Sequence, residues 1–141
     1  MTLAEPATGW KAGDQVVLTA TQTHGAKQTE SPTEQRTIKS VEGAIVTLDR
    51  AVEYPHRGAG EFRGEVANLS RNVIVESADA DGVRGHTMFH RHSAGGLSYS
   101  EFRHLGKRDV LGRYSLHFHL VGDTMRGSSV VGNSIWDSHN R

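Results

Sequence analysis

Short runs of β-type residues recur along the chain, and turn-forming residues separate them. No stretch between them has the 3.6-residue periodicity of an amphipathic helix. Sixteen Gly against three Pro are consistent with many turns. The pattern predicts an all-β fold with little helix. The predicted strands are residues 15–20, 37–41, 44–48, 72–76, 87–90, 97–102, 115–120 and 129–135.

Turn signals give this series a first organisation. Val41-Glu42-Gly43-Ala44 predicts a hairpin turn, and residues 23–33 and 54–64 predict exposed loops. From residue 72 onward, the runs repeat at about 12 to 17 residues, which suits stacked coils of a parallel β-solenoid as well as a sandwich. No exact repeat is present, so spacing alone leaves both open. A length of 141 residues predicts one folding unit.

Charge and composition exclude several classes of partner. Sixteen Lys plus Arg balance sixteen Asp plus Glu, so we expect neither nucleic acid nor an acidic membrane surface as a partner. With no cysteine, there is no disulfide framework and no thiolate metal site, and any metal must use His, Asp, Glu or water. No apolar run is long enough to cross a bilayer, and the first six residues lack the regions of a signal peptide.

A series of landmarks occurs in the order found in one known family. The series begins with Gly9-Trp10-Lys11-Ala12-Gly13-Asp14 and continues through Tyr54-Pro55-His56, Glu65-Val66-Ala67-Asn68-Leu69-Ser70, Gly85-His86, Gly112-Arg113-Tyr114-Ser115-Leu116-His117-Phe118-His119 and Asn133-Ser134-Ile135. Nearly end to end, the chain resembles the G8 and right-handed β-helix region shared by cell-surface hyaluronidases, fibrocystin-like receptors and bacterial relatives.

The resemblance implies a right-handed parallel β-helix, with residues 1–70 as a G8-like part containing a β-hairpin region and residues 71–141 as β-helix coils of one solenoid domain. It also implies an extracellular setting for many relatives, and cation-dependent cleavage of hyaluronan in some. Other relatives are receptor-like, so fold alone does not assign the activity. The family often has a second His pair where this chain has Trp136 and Asp137. The family's helix also continues further, so we expect a truncated solenoid whose exposed coil ends either pair with another copy or are capped by the final strand.

Nine histidines are the main functional clue, and the strongest motif among them is Leu116-His117-Phe118-His119-Leu120. Side chains alternate along a strand, so His117 and His119 should project together while Leu116, Phe118 and Leu120 face the core. Two imidazoles on one strand are a common way to present nitrogen ligands to Zn²⁺. The alternative is a pair of surface histidines with no ligand.

A second cluster lies in residues 85–92, where His86, His90 and His92 share one parity. Parallel coils lie about 4.8 Å apart, so outward residues of neighbouring coils can reach one ion. Parity favours His90 as a metal ligand, and the resemblance favours His86. The alternative is a polar strand edge with hydrogen-bonded imidazoles.

Several other residues could complete a site. Asp137 and His139 have i, i+2 spacing and could add a carboxylate and an imidazole, although His139 lies close to the C-terminus. Glu101, on the predicted outward parity, could act as a general base or as a solvated surface charge. Arg113 could bind an anionic group through its planar fork, or could belong to a packed turn. We expect His24, His56 and His104 to be structural or solvent-exposed.

These residues predict a divalent-metal-dependent hydrolase of ester, phosphoester or glycosidic bonds, acting on a small molecule or a glycan. Its metal ligands are His86, His90, His117, His119 and His139, and Glu101, Asp137 and Arg113 support the chemistry. Zn²⁺ is the first expectation, with Ca²⁺ or another transition metal open. One alternative is a carbohydrate-binding β-helix module without turnover, which grips a sugar chain through Trp136 and Tyr99. Another is a structural solenoid that binds metal adventitiously.

Overall fold

The computed structural model describes residues 1–22 and 31–140 and divides into two compact units, Met1–Ser70 and Arg71–Arg141. The described residues form nine strands and no helix, as the sequence predicted for an all-β chain. They accordingly contain no helix with the length and apolarity needed to cross a membrane. The loop predicted at residues 23–33 lies mostly outside the described residues, and His24 lies wholly outside them.

The first unit is built on a four-stranded antiparallel sheet with strand order β3-β2-β1-β4. The predicted hairpin is confirmed, because β2 and β3 pair across a turn in which Gly43 has a φ of 61°. A glycine suits this left-handed conformation, which other residues rarely adopt. The strand β4 was missed by the sequence reading. The bounds are β1 Gln15–Leu18, β2 Glu34–Glu42, β3 Ile45–Leu48 and β4 Val66–Asn68.

The core of this unit comes from strand alternation. Val16 and Leu18 lie two residues apart on β1 and are both buried, as strand geometry requires for one face. Ile38 of β2 and Val46 of β3 complete the buried cluster. Partly buried apolar side chains, including Trp10, pack against its border. This cluster is the principal hydrophobic stabilisation of the unit.

A buried ionic group lies beside that core. Glu34 accepts hydrogen bonds from the backbone amides of Glu53 and Tyr54 and forms an ion pair with Arg36. His56 Nε2 lies 2.9 Å from the same carboxylate, and His56 Nδ1 lies 2.9 Å from the Thr19 carbonyl oxygen. His56 is therefore structural, one of the two roles expected for it.

The second unit contains parallel strands in small sheets. The bounds are β5 Val73–Glu76, β6 Gly96–Ser98, β7 Ser100–Arg103, β8 Ser129–Val131 and β9 Ser134–Trp136. The order β5-β7-β9 gives one three-stranded sheet, and β6 pairs with β8 in a second. Partners lie 27 residues apart for Val73 and Ser100 and 33 apart for Gly96 and Ser129. Parallel stacking is thus present, although the described residues do not form an identifiable closed solenoid.

Left-handed residues at corners explain why the predicted strands are broken. Tyr99, with a φ of 52°, separates β6 from β7 inside the run predicted at residues 97–102. Gly132, with a φ of 64°, helps to separate β8 from β9 in the same way. Periodicity cannot detect such corners, because one left-handed residue redirects the chain without changing the hydrophobic pattern.

The runs at residues 87–90 and 115–120 shrink to a single parallel bridge between Phe89 and Phe118. The two rings stack at 5.2 Å between centroids, although Phe118 remains partly exposed. The prediction that Leu120 faces the core is wrong. Leu120 has a φ of 47° and is 71% exposed, because the strand alternation does not extend to its position.

Candidate functional site

The Phe89–Phe118 bridge brings the two predicted histidine clusters together. The amide of Phe89 donates to the His117 carbonyl at 2.8 Å, and the amide of His119 donates to the Phe89 carbonyl at 2.8 Å. His117 and His119 flank Phe118 and His90 follows Phe89, so this register places imidazoles side by side on the two stacked segments. One pair of backbone hydrogen bonds therefore brings the histidines of the two segments into one cluster.

We call His90, His119 and His117 the imidazole row. The ring centroids of His90 and His119 lie 5.5 Å apart, and those of His119 and His117 lie 5.1 Å apart, both in edge-to-face contact. Tyr114 extends the row, with its ring centroid 4.9 Å from that of His117. The structure thus brings together His90, His117 and His119, three of the five histidines expected to act as ligands.

The hydrogen bond of His117 fixes which of its ring nitrogens carries the proton. Its Nδ1 lies 2.7 Å from the Gly112 carbonyl oxygen, which can only accept. Nδ1 must therefore donate, and in the neutral ring the lone pair lies on Nε2. His117 presents an acceptor, and as a neutral imidazole a ligand atom, at that position.

His86 lies beside the row and is paired with Arg113. His86 Nε2 accepts a hydrogen bond from the Arg113 guanidinium at 3.0 Å. Burial, followed by the charge of Arg113 and smaller contributions from Lys107 and His117, holds the pKa of His86 below its ordinary value. His86 is therefore a neutral acceptor that orients Arg113, and in this arrangement its Nε2 is not free for a metal.

The expected metal centre is not assembled in this conformation. Among the described residues, no three His, Asp or Glu side chains are arranged to hold a metal ion. The rings of the imidazole row touch edge to face, but their nitrogens do not converge on one point. His139 donates its backbone amide to the Leu105 carbonyl, and in the described part of the chain its ring makes no contact with the row.

Asp137 belongs to a different cluster from the row. Its carboxylate accepts hydrogen bonds from His104 Nδ1 at 2.7 Å and from Arg84 at 3.2 Å. Burial raises the pKa of Asp137, but the bonds from Arg84 and His104 outweigh it and hold that pKa below its ordinary value. The sequence reading missed Arg84 as a partner of Asp137 and placed His104 outside any site. Strand register is the signal that could have found His104, because β7 and β9 pair Arg103 with Trp136 and so bring the following residues together.

Glu101 is buried, and the prediction that it points outward is wrong. It is 1% exposed and accepts hydrogen bonds from the Arg71 amide at 3.0 Å, from Trp136 at 3.0 Å and from Arg103 at 3.2 Å. These three donors stabilise a carboxylate inside the unit, whereas strand alternation predicted that the side chain would face solvent. The side chain is thus shielded from any substrate in solution.

The chain is similar to several known proteins. Residues 82–141 match the family model described as CEMIP beta-helix. The whole chain is 29% identical to fibrocystin-L of Mus musculus over 193 residues, covering 4% of that protein. It is 32% identical to protein rliB of Dictyostelium discoideum over 115 residues, covering 79% of the chain and 10% of that protein. A G8 domain-containing protein of the same organism is 27% identical over 139 residues, with 94% of the chain and 10% of that protein covered.

These relatives are far longer than the region that is similar. The chain spans between 4% and 12% of the length of the curated relatives it matches. The names of the three relatives above state no enzymatic activity. The likeness therefore describes a domain, and the activities of whole relatives are a separate question.

Proposed function

Because the chain contains a G8- and CEMIP-like domain, we propose that it is a glycan-binding β-helix module with an extracellular or cell-surface setting. The observation that carries this proposal is the contact of the imidazole row with Tyr114. The His86–Arg113 pair lies close enough for the charge of His117 to affect the pKa of His86. The parallel partners 27 to 33 residues apart fit coils of a right-handed β-helix, which we propose as the scaffold.

The chemistry of this surface suits a sugar chain. His117 presents a lone pair on Nε2, which can accept a hydrogen bond from a sugar hydroxyl. The ring of Tyr114 and the imidazoles offer flat faces of the kind that pack against sugar rings. No disulfide or cofactor is needed for such binding.

Arg113 adds a preference for acidic glycans. One of its five N–H donors is used by His86, and the neutral state of His86 leaves the positive charge of Arg113 uncompensated by that partner. A planar guanidinium with donors to spare suits a sugar carboxylate. We therefore propose a polysaccharide that carries carboxylates, with Arg113 as the residue that distinguishes it from a neutral one.

The test measures binding of acidic and neutral oligosaccharides by calorimetry, with and without a chelator. We expect Arg113→Gln to lower affinity for the acidic chain about tenfold or more and to leave the neutral chain little changed. The double variant His117→Ala and His119→Ala should lower binding of both. Arg108→Gln, at an exposed position, is the matched control. Equal affinities for Arg113→Gln and Arg108→Gln would contradict the proposal.

A second candidate is metal-dependent hydrolysis at the same surface. It is favoured by one observation, the contact of His119 with both His90 and His117, whose rings would need to rotate before their nitrogens could share an ion. A divalent ion held there would lower the pKa of a bound water and so supply a nucleophile. Elemental analysis, with ester, phosphoester and glycan substrates assayed before and after chelation, tests it. Activity that survives complete metal removal would exclude this candidate.

A further inference from the structure

We propose that His104 and Asp137 form a general-base pair that hydrolyses O-acyl esters without a metal ion. The pair involves neither the imidazole row nor Arg113, and the inference does not depend on glycan binding by the row. It begins from the 2.7 Å hydrogen bond between His104 Nδ1 and the Asp137 carboxylate.

That hydrogen bond assigns the two nitrogens of His104. Asp137 is an acceptor, because the Arg84 guanidinium donates to both of its oxygens and so favours the ionised carboxylate. Nδ1 therefore carries the proton, and the lone pair of the neutral ring lies on Nε2. A histidine oriented by a carboxylate through Nδ1 with a free Nε2 is the arrangement that general-base catalysis uses.

Arg84 fixes the carboxylate in place. Its guanidinium donates to both Asp137 carboxylate oxygens, at 3.3 and 3.2 Å, and to the Asp137 carbonyl oxygen at 2.6 Å. Arg84 is itself 6% exposed, so a buried guanidinium holds the more exposed carboxylate of Asp137 in place. Trp136 contacts the His104 ring edge to face, with 5.5 Å between the ring centroids. Both members of the pair are thereby oriented by neighbours.

The pair is accessible to water and substrate. The side chains of His104 and Asp137 are 26% and 43% exposed. The other acidic groups nearby are engaged, since Glu76 is bound to Arg103 and Glu101 to Trp136. His104 Nδ1 is hydrogen-bonded to Asp137, so Nε2 is the ring nitrogen that can take a proton from water.

Both members of the pair lie at left-handed positions of the backbone. His104 has a φ of 52° and Asp137 a φ of 45°, both in the left-handed region. Such positions are uncommon for residues other than glycine, and His and Asp adopt them more readily than most. The two residues follow the last paired residues of β7 and β9, so the same corner recurs on two stacked strands.

The proposed reaction needs only water and an ester. His104 Nε2 takes a proton from water as the water oxygen bonds to the acyl carbon, and Asp137 stabilises the resulting imidazolium. The tetrahedral intermediate then expels the alkoxide, which takes that proton from Nε2. The products are a carboxylic acid and an alcohol, with no change in oxidation state. Glycoside hydrolysis would require two available carboxyl groups, whereas a single acid–base residue can serve an ester.

The experiment uses the metal-stripped protein of 141 residues and an O-acetylated oligosaccharide, with release of acetate as the readout. His104→Asn keeps a side chain that tolerates the left-handed turn but lacks the basic nitrogen, and Asp137→Asn removes the charge that orients the ring. His92→Asn is the matched control, because His92 also has a left-handed backbone, with a φ of 63°, and is exposed. His104→Gly permits rescue by added imidazole, a readout that a purely structural role would not change.

We expect the parent protein and His92→Asn to hydrolyse the ester equally, above the rate in buffer. His104→Asn should be slower by about a hundredfold or more and Asp137→Asn by at least about tenfold. Imidazole should accelerate His104→Gly much more than it accelerates His92→Asn. A parent rate equal to buffer, full activity in His104→Asn, or equal imidazole effects in the two variants would overturn the proposal. Nitrogen NMR of the parent protein gives a second test, since a neutral His104 ring protonated at Nε2 would also overturn it.

Discussion

Trp136 donates its indole N–H to the Glu101 carboxylate across 3.0 Å, so an aromatic side chain of β9 satisfies an acidic side chain buried on the neighbouring strand β7. The Arg71 amide and Arg103 complete the set of donors. A buried carboxylate is tolerated only when it is bonded in this way. Glu101 is therefore a structural link between strands of the second unit.

Replacing Glu101 should destabilise the protein strongly. Glu101→Ala leaves the Trp136 and Arg71 donors and the Arg103 charge without their acceptor, so we expect a loss of about 3 kcal/mol in the free energy of unfolding. Glu101→Gln should lose less, because its amide oxygen can still accept. Chemical denaturation measures both. Glu76→Gln, which breaks the more exposed pair with Arg103, is the comparison and should destabilise the protein much less. Equal losses for Glu101→Ala and Glu76→Gln would refute the structural role.

The buried Glu34 should make the stability of the first unit depend on pH. Burial raises its pKa, but the amides of Glu53 and Tyr54, with His56 and Arg36, outweigh that effect and lower it from 4.5 to about 2. A folded-state pKa below the unfolded value stabilises the protein above the unfolded pKa, and that contribution is lost as pH falls from about 4.5 towards 2.

Glu34→Gln tests this linkage. At neutral pH the variant should be about 3 kcal/mol less stable, because it removes the buried anionic partner of Arg36 and leaves the more distant, exposed Glu53 as its ion pair. The stability difference from the parent should narrow as the pH is lowered below 4.5, because Glu34 is then protonated in the unfolded parent while it stays charged in the folded one. Denaturation at pH 7 and at pH 3 measures it, with the exposed Glu42→Gln as control. A constant difference across this range would contradict the assignment.

Gly112 is expected to determine the position of His117 within the imidazole row. It has a φ of 78°, and a Cβ there would lie 3.4 Å from His117 Cε1. Gly112→Ala should therefore strain the backbone at the carbonyl that accepts from His117 Nδ1, and its methyl group would come into close contact with the His117 ring. Gly127→Ala is a matched control, since Gly127 has a φ of 90° with nothing within 4 Å.

Both glycine variants should lose about 1 kcal/mol of stability from backbone strain. Only Gly112→Ala should also weaken binding of the acidic oligosaccharide, by about threefold or more, as calorimetry would show. If the two variants bind the glycan equally, the position of His117 has no part in binding.

Exposed apolar residues on β8 and β9 predict association between copies. Val130, Val131 and Ile135 are each about half exposed, and β8 and β9 lie at the edges of their sheets. Unpaired apolar edges favour pairing with another chain. We expect light scattering to report a concentration-dependent dimer or larger species, and Val131→Lys with Ile135→Lys to shift it towards monomer. A monomer at all concentrations would contradict this prediction.

Alternation and turn residues predicted most of the strands, including the hairpin of β2 and β3 whose turn contains Gly43. They also predicted that His117 and His119 share a face, because a strand period of two is a local property. The contact between His90 and His119 needed one further assumption, that the segments around Phe89 and Phe118 stack, and the structure contains that bridge.

Residues at corners and in buried polar groups were harder to predict. His104 and Asp137 come together through the register of β7 and β9, which no local pattern encodes. Glu101 was assigned to solvent because parity cannot foresee that Trp136, Arg103 and the Arg71 amide all converge on one carboxylate. The burial and pairing of these residues depend on side-chain partners from distant segments, which local sequence patterns do not identify.

The sequence separation between paired parallel strands is unequal, and this affects how the connecting segments of the second unit can vary. The step from β5 to β7 is 27 residues and that from β6 to β8 is 33, yet the strands remain aligned. The difference is taken up by connecting segments, which can lengthen or shorten while the ladder of backbone bonds is preserved. Insertions at these corners therefore offer a route to new recognition properties at little expense to folding.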